Sequence, residues 1–161
     1  MMEQTLLKPS RGPADCLDTR NLFIAYSKWL NVDLTFQGFN SELDSLPGKY
    51  APPTGEILLA RDVSGTAIGC VAFKPLSTGV GLCEMKRLYV SPTGRHRGVG
   101  RQLVLEILAI ATRVGYIEMR LDTLSHMHHA ISLYRRLGFV QIDPYYESPL
   151  TNTIFFAKRL K

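Results

Sequence analysis

The chain has 161 residues, enough to bury one real core. An apolar share of 45% and a charged share of 20% exclude a disordered chain, and no apolar run has the length of a membrane span, since "QLVLEILAIAT" is interrupted by Glu106. The net charge of +5 is local: Lys86, Arg87, Arg95, Arg97 and Arg101 share an acid-free window from 85 to 105, outside which basic and acidic residues balance, and this argues against a nucleic-acid-binding face.

The opening "MMEQTLLKPSRG" has an acid at position 3 and no long apolar core. It does not read as a secretory signal, and the cytoplasm is the expected compartment. Residues 5–8 read as a short strand. A helix is expected to begin near Asp15 or Asp18, either of which suits an N-cap. Leu22, Phe23, Tyr26, Trp29, Leu30 and Leu34 follow at helical spacing and read as its core face. "FNSELDSLPGKYAPPTG", with three prolines and two glycines, breaks that period and reads as a long loop. Long loops in compact domains are often functional.

Two strand-like runs come next, "EILLAR" and "TAIGCVAFKPL", joined by the turn "DVSGT". A third, "LCEMKRLYV", follows "STGVG". Cys16, Cys70 and Cys83 are an odd number with no CxxC pair, which argues against a disulfide framework or a structural zinc site. Cys70 and Cys83 sit in apolar runs, as small hydrophobes do. After the basic loop, Leu103, Val104, Ile107, Leu108, Ala111 and Val114 form the apolar stripe of a second helix. "YIEMRLDT" reads as a strand and "HHAISLYRRLGF" as a short helix stopped by Gly138. "FVQID" and "TIFFAKRL" supply closing strands. Residues 1–161 therefore read as a single α/β (α+β) domain. In "HMHH", His128 and His129 are adjacent on a helix and point apart, and no cysteine or acid completes a ligand set with His126. No metal site is expected.

The most informative stretch is "VSPTGRHRGVGRQLVLEIL", a basic, glycine-punctuated loop running into a helix. A helix N-terminus exposes unpaired N–H groups and the positive end of the dipole. Gly98 and Gly100 let a backbone approach an anion closely, and Arg95, Arg97 and Arg101 can add charge-assisted bonds. The dinucleotide fingerprint fails because Leu103 stands where its third glycine would be, and no Gly-Lys-Ser/Thr tripeptide exists for a Walker loop. On local features alone, a solvated turn before a well-capped helix stays open.

"RHRGVGR" resembles the Arg/Gln-x-x-Gly-x-Gly/Ala pattern for acetyl-CoA in the GNAT superfamily of N-acetyltransferases. The strand end "RLYV" precedes it at the family's short spacing, and "AISLYRRLGF" is similar to the family's following helix. The likeness spans roughly residues 55 to 160. "LPGKYAPPTG", "CEMKRLYV" and "LDT" resemble a subgroup of small microbial acetyltransferases of mostly unassigned substrate. The resemblance implies a mixed, mostly antiparallel sheet flanked by helices, with a splay between the fourth and fifth strands. It also implies that residues Arg95, His96, Arg97, Gly98, Val99, Gly100 and Arg101 hold the pyrophosphate of acetyl-CoA. The pantetheine arm would pair with the strand at Leu88, Tyr89 and Val90, as in strand addition.

An acceptor amine must be neutral to attack, and at a pKa of ~10 about one molecule in a thousand is free near pH 7. Glu84, eleven residues before Arg95, matches the family's catalytic glutamate; pairing with Lys86 or Arg87 in a structural role is the other reading. Tyr134 matches the tyrosine beside the departing sulfur, and it also suits plain packing between helix and sheet. Asp122 would hold a substrate ammonium or cap the next helix, and Tyr50 and Tyr145 are candidates to line the acceptor pocket. Met127 stands where many relatives have an asparagine, and a thioether cannot replace its amide donor. The expected function is acetyl transfer from acetyl-CoA to a primary amine by direct attack, without metal, membrane or nucleic acid; the alternative is a non-catalytic acetyl-CoA sensor. Many relatives are dimers, so a homodimer is included in the expectation.

Overall fold

The computed structural model describes residues 4–161. Its strands are Leu6–Pro9 (β1), Glu56–Arg61 (β2), Ala67–Pro75 (β3), Leu82–Val90 (β4), Glu118–Leu124 (β5), Val140–Ile142 (β6) and Thr153–Arg159 (β7). Helices are Gly12–Leu30 (α1), Phe39–Asp44 (α2), Val99–Val114 (α3) and His128–Arg136 (α4). The strands form one sheet in the order β1-β2-β3-β4-β5-β7-β6, antiparallel throughout except for the parallel pair β4 and β5. This is the mixed sheet expected for the fold class.

β2 and β3 read as near-continuous apolar runs because both of their faces are covered. Leu58, Val71 and Phe73 pack with Leu103, Val104 and Ile107 of α3 on one side. Ile57, Leu59, Cys70 and Ala72 pack with Leu22 and Phe23 of α1 on the other. Five residues of the stripe assigned to α3 are buried, while Val114 at its end is exposed. Gly138, at φ 96°, ends α4 as expected.

Three local expectations need correction. α1 begins at Gly12, before Asp15 and Asp18, because Pro13 suits the first turn of a helix. Asp15 instead accepts the Arg11 backbone N–H at 2.9 Å, and both acids bind Arg61 of β2. The helix stops at Asn31 in the left-handed region (φ 56°), so Leu34 is buried from outside it and Trp29 is 47% exposed. The long loop is not structureless: it holds α2 and a short 3-10 turn at Gly48–Tyr50.

What pins α2 to the sheet is Arg87. In the β3–β4 register Ala72 faces Lys86 and Cys70 faces Tyr89, so Arg87 and Leu88 together oppose Val71 in a bulge. Arg87 has φ 63°, an uncommon conformation for a residue with a side chain. Its guanidinium leaves the sheet and binds both oxygens of Glu42, at 2.9 and 3.0 Å, and Gln37 at 2.8 Å. Tyr50 donates to the same carboxylate at 3.0 Å, and Lys49 lies 2.9 Å away. Burial pushes the Glu42 carboxyl up, but Arg87 and then Lys49 outweigh it and hold the group below its ordinary value.

Glu42→Ala would leave the Arg87 charge buried and unpaired, so a loss of about 3–5 kcal/mol in unfolding free energy is expected from denaturant titration. A carboxyl depressed on folding contributes stability that is complete above its unfolded value and is lost as pH falls through the folded one. The wild type should therefore lose stability on acidification below about pH 4, and Glu42→Gln should lose less over the same range. Equal slopes for the two proteins would exclude this coupling.

Candidate active site

β4 and β5 pair only at Leu82 with Glu118, Cys83 with Met119 and Glu84 with Arg120. β5 continues along β7, with Asp122 opposite Phe155, whereas β4 turns away through its bulge. The second half of β4 therefore has a backbone edge facing a gap, with donors and acceptors free to take another strand. A cleft of about 720 Å³, open to solvent, occupies this gap. Tyr26 and Trp29 of α1, Lys86 and Leu88 of β4, Asp122 of β5 and Tyr134 of α4 are among its walls.

At the outer end of β4 stands the basic loop. α3 starts at Val99 behind Gly98 (φ 73°), with no side-chain cap and no acid in its first turn. Gln102 is the first residue whose N–H returns to Gly98, so the N–H groups of Val99, Gly100 and Arg101 have no helical partner. His96 is also left-handed, at φ 64°, and exposed. A Cβ on Gly100 would meet only Val90 and Leu133 side chains at 3.7 and 3.8 Å, an ordinary contact. Nothing in the fold requires a glycine there; its bareness leaves room at the helix end.

The three arginines of the loop differ in role. Arg95 donates Nε–H to the Val90 carbonyl at 3.0 Å and lies over Trp29 and Tyr89, 5.5 and 5.9 Å from their ring centres. It clamps the loop to β4 and α1. Arg97 is half-buried on the side of Asp62, whose carboxyl is held low by the Ser64 hydroxyl and further by the Arg97 charge. Arg101 is exposed on α3. Tyr89 and Val99 are buried in the core, Leu88 is half-buried on the cleft wall, and Val90 is half-buried against the core.

At the inner end, two carboxylates face two tyrosines. Glu84 is 4% exposed; its Oε2 accepts the Tyr145 hydroxyl at 2.6 Å and its Oε1 lies 3.3 Å from Lys74. Asp122 accepts a short hydrogen bond from the Tyr146 hydroxyl. Burial first, and then the adjacent carboxylate, push both phenols far up, so both remain neutral donors. Lys86 lies between the acids, 4.0 Å from Glu84 and 3.9 Å from Asp122. Tyr134 is 6% exposed and packs on Phe139 and Phe156, yet among the described residues its hydroxyl has no hydrogen-bond partner and it borders the cleft. Burial raises its phenol well above the ordinary value. Met127 and Ala130 form the wall beside it.

Glu84, Asp122 and Tyr145 are thus brought together, with Tyr134 across the cleft. Tyr50 is not among them: it is fully buried, with its edge toward Phe23 and its hydroxyl on Glu42, and it serves the Arg87 network. Sequence reasoning missed Lys86 and Tyr26. Lys86 carried a signal, since the period of two puts it on the face of Glu84. The departure of Arg87 into the layer below carried none, because a bulge resets that period.

A sequence model of the Acetyltransferase (GNAT) family matches residues 24–139. The chain is 44% identical over 157 residues to an uncharacterized N-acetyltransferase of Schizosaccharomyces pombe, covering 93% of this chain and 96% of that one. Among solved structures, a GNAT family N-acetyltransferase of Escherichia coli in complex with CoA is 25% identical, with a TM-score of 0.69 over 99% of this chain and 83% of that one. An acetyltransferase of the GNAT family from Staphylococcus aureus superposes with a TM-score of 0.80 over 98% of this chain and 100% of that one, at 17% identity, and so shares the fold.

Tyr145→Phe leaves an oxygen of a buried carboxylate without its donor, at an expected cost of about 1–3 kcal/mol in denaturant unfolding. Tyr146→Phe should cost as much through Asp122. A change below about 0.5 kcal/mol in both would mean that the tyrosines do not hold the carboxylates.

Proposed function

The chain belongs to the GNAT acetyltransferase family, and from that premise we propose that it transfers acetyl from acetyl-CoA to a primary amine by direct attack. The family membership makes it an acyl-CoA N-acyltransferase; the acetyl group, the amine and the residue roles are our reading. One observation carries it: the free edge of β4 runs from the open N–H groups of α3 to the paired carboxylates, so one extended substrate arm would join the two. Residues 1–161 are taken as a single acetyltransferase domain. Its three free thiols suit a reducing compartment such as the cytoplasm.

The pyrophosphate would sit against the N–H groups of Val99, Gly100 and Arg101, where the dipole favours anions. His96, Arg97 and Gly98 shape the turn, and Arg95 anchors it. Pantetheine would pair with the backbone at Leu88 and Val90 while Tyr89 faces the core. The Leu88 backbone and the Val90 N–H suit such an arm, since β4 pairs with β5 no further than Glu84, while the Val90 carbonyl is already held by Arg95. The acceptor would enter against Tyr26 and the carboxylate of Asp122. Glu84 is the proposed proton sink. Its oxygens are engaged by Tyr145 and Lys74, so the proton reaches it through an intervening group.

Direct attack fits the cysteines. Burial pushes the Cys83 thiol up to about 12 and the Cys70 thiol higher still, and neither is a ready nucleophile. Tyr134 offers an uncommitted hydroxyl to the departing sulfur. Its raised phenol makes it a hydrogen-bond donor that steadies the thiolate more than an acid that protonates it outright.

Thiol release from acetyl-CoA, followed across amines, amino acids and peptides, tests this reading. Turnover on one acceptor class is expected, reduced about 10²- to 10⁴-fold in Glu84→Gln and less in Tyr134→Phe, with acetyl-CoA affinity kept. Tight binding without turnover on any acceptor would overturn it in favour of a sensor. Gly100→Ala should act in opposite directions on two readouts. It should stabilise the fold by up to about 1 kcal/mol, because the Cβ fits and alanine is the better helix former. Acetyl-CoA affinity should fall at least tenfold, by isothermal titration, because that Cβ stands where the anion approaches.

A further inference from the structure

The cleft and the proton sink do not touch. Asp122, Lys86 and Tyr134 border the cleft, whereas Glu84 lies behind, with Tyr145 on one oxygen at 2.6 Å and Lys74 3.3 Å from the other. The side chain between them is Lys86. Only 7% of it is exposed, and its Nζ lies 4.0 Å from Glu84 Oε1 and 3.9 Å from Asp122 Oδ1. Neither separation is a direct hydrogen bond, and among the described residues this amine has none. The tyrosines hold the bonding positions on the two carboxylates, which leaves a buried amine at the cleft wall next to, but not locked onto, its counter-charges.

We propose that the Lys86 amine takes the proton shed by the attacking nitrogen and hands it to Glu84, so that Lys86 is the base in contact with the acceptor. This inference rests on the acyl-transfer reading above. In the step, the acceptor lone pair forms a bond to the thioester carbon, the C–S bond breaks, and the electron pair leaves on sulfur. The proton lost by nitrogen goes to the Lys86 lone pair and then to the Glu84 carboxylate. The thiolate takes one proton from the medium beside Tyr134, Glu84 returns its proton to the medium, and the count closes. Bonding to the carbonyl carbon makes the nitrogen's proton far more acidic than that of the free ammonium, so a lysine of weakened basicity still captures it.

The surroundings of Lys86 favour such a role. Burial lowers its proton affinity; Asp122 and Glu84 counteract this, while Arg87 and Lys49 add to it, and the net direction is down. Lys74, Tyr145 and Tyr146 reach it through the two carboxylates. Tyr26 on the opposite wall is raised to about 12 by burial and stays neutral. A base poised nearer the working pH transfers protons more efficiently than one far above it.

The test has two arms. In wild-type protein with ¹³C-labelled lysines, the Lys86 signal, assigned by its absence in Lys86→Arg, is expected to titrate below the remaining lysine signals. Titration together with them would overturn the proposal. In the acyl-transfer assay, both Lys86→Met and Lys86→Arg should lose about 100-fold or more in kcat/KM with unchanged acetyl-CoA affinity, and the acidic limb of the pH profile should move. Lys86→Arg within threefold of wild type would mean that a positive charge suffices and would sink the relay alone. A wild type that binds acetyl-CoA but acylates no amine would sink the transferase reading, and this inference with it.

Discussion

The ion pair between Arg87 and Glu42 governs the geometry of everything around the cleft. A strand that continued in register would keep β4 against β5 and present its next side chain to solvent or core by simple alternation. At Arg87 the backbone instead takes a left-handed residue, costing on the order of 1–3 kcal/mol, and two residues face one on β3. That cost is met by a buried guanidinium with three hydrogen bonds to Glu42 and Gln37. The same contact therefore fixes the bulge that parts β4 from β5 and fastens α2 beneath the sheet. The parting of the strands and the seat of α2 follow from one side chain.

This explains which parts of the structure were legible in the residues. β4 is the strand read from "LCEMKRLYV", and the helix after the basic loop keeps its apolar stripe, because both elements are set by local period and burial. The turn before α3 was legible because its left-handed residue suits glycine at Gly98, and the motif records that need. By contrast α2 has six residues, too few for a periodic signal, and it holds its place through Glu42, which is 45 residues from Arg87. Tyr50 looked like a loop aromatic for the same reason: only the long-range network shows it as a buried donor to that carboxylate. Side chains recruited across the fold leave little local trace.

The carboxylates at the inner end of the cleft obey a different logic from Glu42. Glu42 is neutralised by a guanidinium in direct contact, which makes it a fastening. Glu84 and Asp122 receive their best hydrogen bonds from neutral phenols, while Lys86 stands about 4 Å from each and Lys74 lies 3.3 Å from Glu84. A phenol satisfies an oxygen without cancelling its charge. Asp122, which borders the cleft, therefore presents its negative charge to it.

Arg95 joins this centre to the outer end of β4. Its Nε–H is committed to the Val90 carbonyl, and its guanidinium lies over Trp29 and Tyr89, with Tyr26 against both rings. The basic loop before α3 and the helix α1 that lines the cleft are therefore packed through one guanidinium. A rearrangement of that loop would break the Arg95 contacts to Trp29 of α1 and to Tyr89 of β4. The coupling of loop, strand and helix needs no moving lid: it is contained in the packing of Arg95 on Trp29 and Tyr89, two rings that Tyr26 braces from the cleft wall.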